Sequence, residues 1–340
     1  MRVDRLCALS LAAGLAWLGA PRVAEAATLC TASATPLAFG SVSGSAPVDV
    51  DGTVTVNCQT FAVALLSTIR VRMCLNIGAG LSGDGQYAPR RMRNATTDPM
   101  QFQIYRDPAR SLVWGNVGAG AAPTPLETTF EYFVLLLGGS NLLNIPMHGR
   151  IPAQTGLAAG VYANAFTGAE TRLDYRYNEP ILGVVDFPAS CTTGGTGGGS
   201  VSFPFTASAP VSNRCTITSV TPMAFGTVAG RVSGNLDQAG TLVFNCTGRT
   251  AWTVGLDNGS HASGSVRRMR LGPAGTHYVH YELYRDPTRV QRWGATAPTG
   301  AATGTGTGFS QSLPIYGRVP GPQVVPAGTY TDTVQVTITY

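Results

Sequence analysis

The chain has 340 residues, of which 44% are hydrophobic and 12% are charged, and its formal net charge is +5. The hydrophobic fraction is sufficient for packed cores, so the composition excludes a chain that is disordered through high charge and low hydrophobicity. The arginines are spread along the chain rather than gathered in one basic run, which gives little support to nucleic-acid binding. The length allows two domains of ordinary size.

Residues 1–27 have the pattern of a secretory signal peptide. Arg2 and Arg5 precede an apolar run at 6–18, and the Ala-Glu-Ala sequence at 24–26 has the small-x-small form of a signal-peptidase site. The apolar run is shorter than the roughly 18 residues that a membrane-spanning helix needs. The sequence therefore predicts export of a soluble mature chain that begins near residue 28.

An internal repeat divides the rest of the chain into two similar halves. Six short motifs occur in the same order in both halves. Written with the first copy before the second, they lie at 36–40 and 222–226, 90–93 and 267–270, 104–108 and 283–287, 114–115 and 293–294, 146–150 and 314–318, and 160–162 and 328–330. This order predicts two homologous domains, at 28–191 and 215–340, joined by a linker at 192–214.

The cysteines are consistent with export. Cys7 lies in the signal peptide, and the six that remain are an even number, as is typical of an oxidising compartment. Cys30 and Cys58 occupy the same places in the first half as Cys215 and Cys246 occupy in the second. The repeat therefore predicts disulfides Cys30–Cys58 and Cys215–Cys246, which leaves Cys74 to pair with Cys191.

Strands are predicted in both halves by alternation of apolar and polar residues. Clear examples are 48–56 and 331–340, which are bounded by Gly, Pro, Asn or Asp. No long stretch has helical periodicity. The fold class is therefore predicted to be all-β, with two tandem immunoglobulin-like β-sandwich domains. A barrel stays open as the alternative.

The order of the motifs resembles the spore coat protein U domain family. The pattern is Cys, Phe-Gly, a second Cys, Arg-Met, Tyr-x-Asp, Trp-Gly, Tyr-Gly-Arg and a final Gly-x-Tyr-x-Asp followed by an alternating strand; it is matched best by 215–340 and more loosely by 30–177. The resemblance implies pilin-type sandwiches, of which the C-terminal one lacks its last strand, and the two-domain tip adhesin of an archaic chaperone–usher pilus.

That resemblance also implies partners and a location. The partners would be a periplasmic pilus chaperone, an outer-membrane usher, an adjacent pilin subunit that donates a strand, and an abiotic or host surface. The protein would pass through the periplasm to the cell surface at the pilus tip. There it would mediate attachment and biofilm formation. No nucleic acid and no cofactor are expected.

Two strand segments support this interpretation independently. The second domain ends in an alternating strand, so we expect an uncovered sheet edge and an apolar acceptor groove there. The residues of that terminal strand beside the groove are Val334, Val336, Ile338 and Tyr340. A second alternating apolar series is predicted to be the last strand of the first domain, supplied in cis, and consists of Val201, Phe203, Phe205, Ala207, Ala209 and Val211. Few residues precede Cys30 after cleavage, so we expect the chain to receive a strand and to donate none.

The halves differ most between the Trp-Gly and Tyr-Gly-Arg or His-Gly-Arg motifs, where the first half is longer. The additional residues form two apolar arms around Gly-Gly-Ser at 138–140 and predict a hairpin. We expect its tip to expose apolar side chains that bind surfaces by dehydrating them. The predicted adhesive residues are Phe130, Tyr132, Phe133, Val134, Leu135, Leu136, Leu137, Leu142 and Leu143. Two longer core strands remain an alternative for this segment.

The sequence gives no support to an enzyme or a metal site. The four histidines accompany no nucleophile or nucleotide-binding motif, and His277 and His280 are expected on opposite faces of a strand. The repeated aromatic residues are interpreted as core. The two Arg-Arg-Met-Arg segments are interpreted as partners of Asp107 and Asp286 or as charged residues that flank strands. Besides the tip adhesin, a secreted structural coat or matrix protein and a carbohydrate-binding module stay open.

Overall fold

The computed structural model describes residues 28–61, 66–116, 123–136 and 138–340. The predicted signal peptide at 1–27 lies outside these residues. No helix in the described part of the chain is long and apolar enough to cross a membrane. The described residues form two sandwiches, one for each half of the internal repeat.

The first domain pairs an eight-stranded sheet with a four-stranded sheet. Its strands are β1 (Thr28–Ala34), β2 (Leu37–Ala38), β3 (Val48–Thr60), β4 (Ser67–Ile77), β5 (Arg90–Arg93), β6 (Pro99–Tyr105), β7 (Leu126–Val134), β8 (Gly139–Ile151), β9 (Gly160–Phe166), β10 (Thr171–Asn178), β11 (Gly197–Ser202) and β12 (Phe205–Val211). The larger sheet has the order β1-β3-β8-β6-β5-β9-β12-β2, and the smaller one has the order β11-β10-β4-β7. A 3₁₀ turn at Gly168–Glu170 joins the two sheets.

The second domain repeats this arrangement with fewer strands. They are β13 (Cys215–Val220), β14 (Leu236–Cys246), β15 (Ala251–Leu256), β16 (Arg267–Leu271), β17 (Tyr278–Tyr284), β18 (Ala302–Thr305), β19 (Ser310–Val319), β20 (Tyr330–Thr331) and β21 (Val336–Thr339). One sheet has the order β13-β14-β19-β17-β16-β20 and the other β18-β15-β21. Because each half has two separate sheets, the prediction of two all-β sandwich domains is confirmed and the barrel is wrong.

Alternation along the strands places apolar side chains between the two sheets. In β3, Val54, Val56 and Cys58 are fully buried while the residues between them face outward. Trp114 and Trp293 are also buried, and their indole N–H groups donate to backbone carbonyls of the facing strands, Leu75 at 2.8 Å and Val254 at 2.9 Å. The repeated tryptophans therefore build the two cores, since a buried indole needs an acceptor.

The first arginine of each Arg-Arg-Met-Arg segment is fully buried. Arg90 donates to the carbonyls of Gly78 at 2.6 Å, Ile77 at 2.8 Å and Trp114 at 2.6 Å. Arg267 repeats this fork with Leu256 at 3.1 Å and Trp293 at 2.7 Å, and it also pairs with Glu282. Burial lowers the pKa of Arg90 to about 9. The guanidinium groups thus hold the ends of neighbouring strands together inside each domain.

The interpretation of these arginines as partners of Asp107 and Asp286 is wrong. Both aspartates instead accept backbone N–H groups of their own turns: Asp107 from Leu112 at 2.6 Å, and Asp286 from Gln291 at 2.6 Å. An aspartate whose carboxylate accepts the N–H groups of its own turn has its hydrogen-bond partners and does not need an arginine.

The three disulfides join the pairs that the repeat predicts, Cys30–Cys58, Cys74–Cys191 and Cys215–Cys246. The first and third link the edge strand of each larger sheet to its neighbour, β1 to β3 and β13 to β14. The second links β4 to the segment after β10 in the first domain. Disulfides of this kind form and persist outside the reducing cytoplasm.

Candidate functional site

The predicted cis strand completes the larger sheet of the first domain. Phe205, Ala207, Ala209 and Val211 lie in β12, which runs antiparallel to β9 and parallel to β2. All four are buried, and the ring of Phe205 stacks on Phe166 with centroids 4.6 Å apart. The backbone is paired on both sides, since the carbonyl of residue 208 also accepts from the N–H of residue 39 at 2.9 Å. β12 therefore fills the position between β9 and β2 and completes the larger sheet.

The same segment begins earlier than the sequence predicts. Val201 lies in β11, which pairs with β10 in the smaller sheet, and the chain crosses to the larger sheet at the fully buried Phe203. Sequence reasoning missed the first part of β11 because glycines give no apolar alternation. A Cβ atom at Gly197 would lie 2.3 Å from the hydroxyl oxygen of Tyr177, so this tyrosine ring takes the place of a side chain there.

The corresponding position in the second domain is an open groove. The larger sheet ends at β20, and among the described residues no strand pairs with the outer side of β20. The counterpart of β2 lies across a cavity of about 370 Å³. Met223 and Phe225 line one wall, Tyr330 and Val334 line the other, and Leu283 lies among the lining residues between them. We call this cavity the second-domain groove.

Burial of equivalent residues reflects this difference between the domains. Tyr162 and Phe166 in β9 are fully buried under β12. Their counterparts Tyr330 and Val334 are only half-buried. The apolar walls of the second-domain groove are therefore built like those of the first domain but are not covered.

The predicted residues of the terminal strand divide into two sets. Val334 and Val336 line the second-domain groove. Ile338 and Tyr340 are not among its lining residues; Ile338 lies in β21, half-buried against the core, and Tyr340 follows β21 with 58% exposure. The strand itself is shorter than predicted, because β21 begins at Val336.

A buried carboxylate also lines the second-domain groove. The side chain of Asp332 is 1% exposed, and it accepts hydrogen bonds from the Tyr281 hydroxyl at 2.7 Å and from the His261 backbone N–H at 3.1 Å. The ring Nδ1 of His261 lies 2.9 Å from the same carboxylate. Burial, and then the bond to Asp332, raise the pKa of Tyr281. Its counterpart Asn164 likewise ties β9 to a nearby loop, so the cluster has a structural role in both domains.

The prediction that the adhesive segment forms a hairpin is wrong. Its first arm is β7, which pairs with β4, and its second arm is β8, which pairs with β3 in the other sheet. The arms belong to opposite sheets because β7 alternates as a core strand does, with Tyr132 and Val134 buried. These two side chains form no part of an exposed surface.

Other residues of the predicted adhesive segment are at the surface. Those between 50% and 57% exposed are Phe133, Leu135, Leu136 and Leu142. Phe130 and Leu143 are half-buried against the core. Leu137 lies outside the described residues. Part of the segment therefore agrees with the core-strand interpretation, along β7, and part agrees with the exposed-tip interpretation, at the end of β7.

Two further loops meet the exposed end of β7. Ser67 pairs with Val134 on one side and is bridged to Gly183 on the other, and Thr60 pairs with Gly139. The loops after β3, β7 and β10 therefore leave the sandwich at one end. Six of their described apolar residues, each between 50% and 80% exposed, are Phe61, Leu66, Leu135, Leu136, Ile181 and Leu182. We call these six residues the end patch.

Sequence reasoning missed four of these six residues. Phe61 and Leu66 bracket an apolar run after β3, and Ile181 and Leu182 follow a proline. Apolar residues in predicted loops were the available signal, but only the strand order brings the three loops together.

The end patch lies at the end of the first domain that faces away from the second domain. Gly139 begins β8 beside the patch, and β8 runs for 13 residues, roughly 40 Å, to Ile151. The loop that follows contacts the second domain, where the N–H of Gly248 donates to the Leu157 carbonyl at 2.9 Å and the Gly248 carbonyl accepts from Ala159 at 2.9 Å.

A model of the Spore Coat Protein U domain matches residues 20–169 and 201–337. The chain belongs to the Spore Coat Protein U domain family. This match confirms the resemblance drawn from the motifs. The family is structural and non-enzymatic, so the prediction that the chain is not an enzyme is also confirmed. The curated relative "Protein U" of Myxococcus xanthus is 42% identical over 107 residues, which is 30% of this chain and 59% of that protein.

Solved structures of pilus tip proteins are similar over most of the chain. The CsuC–CsuE chaperone–tip adhesion subunit complex of archaic chaperone–usher Csu pili from Acinetobacter baumannii is matched over 92% of this chain and 100% of that chain, with 16% identity and a TM-score of 0.47. The CupB6 tip adhesin from Pseudomonas aeruginosa is matched over 92% and 94%, with 12% identity and a TM-score of 0.35. The family assignment therefore rests on the sequence model and not on these structures.

An ion pair joins the two domains beside the backbone contacts. Arg249 of the second domain donates from Nε to Asp98 Oδ2 at 2.7 Å and from Nη2 to Asp98 Oδ1 at 3.0 Å. These bonds, with a further one from Thr96, hold the pKa of Asp98 below its usual value of 3.8. The charged carboxylate therefore stabilises the contact fully above that usual value, and the stabilisation is lost as the pH falls from there through the lowered pKa of the folded protein.

We expect Arg249→Ala to loosen the domain contact with little change in the free energy of unfolding, because Arg249 is exposed and exposed ion pairs contribute little to stability. Small-angle scattering at about pH 6 should show a wider range of domain orientations for Arg249→Ala than for the wild type. Unchanged scattering in the variant would show that the backbone contacts alone fix the orientation.

Proposed function

We propose that the protein is a tip subunit of a chaperone–usher pilus that attaches the fibre to surfaces and promotes biofilm formation. In this role a periplasmic chaperone first occupies the second-domain groove. The chaperone is released at the usher, and a strand from the adjacent subunit then takes its place. The end patch of the first domain contacts the surface, abiotic or host. A structural coat protein is the second candidate, which the description of the family favours.

The observation that carries this proposal is the difference between two homologous sheets. The first domain contains β12 between β9 and β2, whereas the second-domain groove lies uncovered between the counterparts of those strands. An uncovered apolar groove beside an unpaired strand edge favours pairing with another chain. Strand addition of this kind is a recognised mode of peptide binding, with donor-strand complementation of pilins among its examples.

The positions of the two sites support a role at the end of a fibre. In the first domain β12 ends at Val211, opposite Gly160 and beside the loop that contacts the second domain. A donor strand with the same polarity in the second domain would end opposite Gly328, the counterpart of Gly160. The donor subunit would then lie next to the second domain, in the same way that the second domain lies next to the first domain. The end patch would lie at the opposite end, free of other subunits.

The chemistry of the end patch suits non-specific attachment. Its six described residues are apolar, and the described residues include no group of three or more His, Cys, Asp or Glu that could hold a metal. Burial of apolar surface contributes about 25 cal/mol per Å², so 100 Å² from each of three loops would contribute roughly 7 kcal/mol. Many pili acting together would increase the avidity further.

The test is a variant with serine at Leu135, Leu136, Ile181 and Leu182. Removal of these side chains should lower attachment to a hydrophobic surface by about tenfold or more per pilus, since each tenfold corresponds to about 1.4 kcal/mol. The matched control is Val290→Ser with Val324→Ser, which removes residues of 78% and 81% exposure from the second domain. Attachment should be measured on cells with equal pilus numbers and by retention of purified protein on a hydrophobic sensor.

Equal loss of attachment in the control would show that general hydrophobicity, and not the end patch, governs binding. Inhibition by soluble sugars would favour a carbohydrate-binding module instead. If the protein folds without a chaperone, and is recovered from spore or cell coats rather than pili, the structural coat protein is the better description.

A further inference from the structure

We propose that the second-domain groove selects its donor strand by side-chain size. The residues that face inward should repeat the pattern of β12: a large aromatic residue, two small residues and a branched apolar residue, at alternate positions. This inference rests on the proposed strand-acceptor function. It adds the sequence that the adjacent subunit must carry, which is derived from the strand that this chain supplies to itself.

The repeat aligns the groove with the first domain residue by residue. The strand partners of Phe205, Ala207, Ala209 and Val211 are Phe166, Asn164, Tyr162 and Gly160. In the second domain the corresponding residues, in the same order, are Val334, Asp332, Tyr330 and Gly328. Directly opposite residues of an antiparallel pair share one face and lie close enough to limit each other's size. Each wall residue therefore sets one donor position.

Tyr330 requires a small donor residue. In the first domain Tyr162 is fully buried, and its hydroxyl donates to the carbonyl four residues earlier, Ala158, at 2.9 Å. The hydroxyl of Tyr330 makes the same bond to Pro326 at 2.9 Å. Because both rings are anchored in the same way, Tyr330 fills the space that Tyr162 fills opposite Ala209. A larger donor residue there would collide with the ring.

Asp332 requires a donor residue that is both small and apolar. Its carboxylate already accepts hydrogen bonds from Tyr281 and from the backbone of His261, and its side chain is almost fully buried. A polar donor residue would therefore be buried against a satisfied carboxylate without a partner of its own, which is costly. Ala207 meets the same requirement opposite Asn164 in the first domain.

Val334 leaves room for a large donor residue. Phe205 stacks on Phe166 in the first domain, and the smaller Val334 stands in the place of Phe166. The cavity of about 370 Å³ is also lined by Leu256, which adds apolar surface. An aromatic donor residue fills this volume, and interiors packed to normal density favour such filling.

The probe is a labelled synthetic peptide with the sequence of residues 199–211, added to the full mature chain. We expect this peptide to bind and to raise the unfolding temperature of the second domain. A peptide with Ala209→Leu should bind about tenfold more weakly or worse. The control peptide, Thr206→Leu, places the same leucine at an outward position of the strand and should bind like the parent.

The protein variant Tyr330→Ala supplies the decisive comparison. With the ring removed, the preference should reverse, so that the Ala209→Leu peptide binds more tightly than the parent peptide. This reversal reports on the groove of the second domain even if the variant is less stable. It also excludes binding at the first domain, whose Tyr162 is unchanged.

The outcomes separate the inference from the function on which it rests. If both peptides bind equally well to the wild type, or if Tyr330→Ala leaves their order unchanged, the groove accepts a strand but does not select it by size, and the inference is overturned. If no peptide binds and the isolated chain is a stable monomer, the strand-acceptor function itself fails.

Discussion

Replacement of Phe203 and Phe205 by alanine is expected to unfold the first domain and to leave the second domain folded. Phe203 is fully buried where the chain crosses between the sheets, and Phe205 stacks on Phe166. Truncation of a buried phenylalanine to alanine costs about 3 to 5 kcal/mol, so the pair costs about 6 to 10 kcal/mol. That loss is comparable to the whole stability of a typical domain, which is about 5 to 15 kcal/mol.

Calorimetry or denaturant should show two unfolding transitions for the wild type. In the double variant the transition of the first domain should disappear, while that of the second domain stays in place. The matched control is Thr206→Ala, because Thr206 lies on the exposed face of the same strand. This control should leave both transitions within about 0.5 kcal/mol of the wild type. If the double variant keeps the stability of the wild type, β12 is not the strand that completes the first sandwich, and the comparison with the second-domain groove loses its basis.

The second large effect is expected from Arg90→Leu. The substitution leaves the carbonyls of Gly78, Ile77 and Trp114 without their common donor in a buried site. An unsatisfied buried acceptor costs about 1 to 3 kcal/mol, so we expect a loss of about 4 kcal/mol or more in the first domain. Arg90→Lys should recover part of this loss, because an ammonium group cannot reach three carbonyls with the geometry of a guanidinium fork.

The neighbouring Arg91 provides the control for this variant. Its side chain is 33% exposed and its nearest carboxylate, that of Asp84, is 4.0 Å away. Arg91→Leu should therefore change the free energy of unfolding by about 1 kcal/mol or less. Equal effects of the two leucine variants, measured by chemical denaturation, would contradict a special role of the buried guanidinium.

The repeat is what made much of the fold predictable. Cys30 and Cys215 stand at the same place in two copies, so pairing within each copy followed from their order, and Cys74 and Cys191 remained. Alternation alone identified β12, because its inward residues are apolar at every second position. The domain boundaries at 191 and 215 stay predictions, and segment 192–214 contributes β11 and β12 to the first domain.

The errors have a common physical cause. A continuous apolar run such as that of β7 does not tell which side chains face the core, so Tyr132 was predicted at the surface and is buried. Arg90 was interpreted, with the rest of its segment, as a partner of Asp107 or as a charged residue that flanks a strand, but it is buried, and three carbonyls and a nearby glutamine accept its hydrogen bonds. Neither contact is encoded by local pattern, since the partners are distant in the sequence.

The sequence by itself determined the class of fold, the two domains, the family and the disulfide pairs, because these depend on periodicity, order and repetition along one dimension. Only the tertiary structure decided which apolar residues lie together at one end of the first domain and which strand edge is uncovered in the second. Phe61, Leu135 and Ile181 are far apart in the chain and lie at one end of the first domain because the loops after β3, β7 and β10 leave the sandwich there. The burial of a side chain depends on how the sheets pack together, so the sequence of a single strand does not determine it.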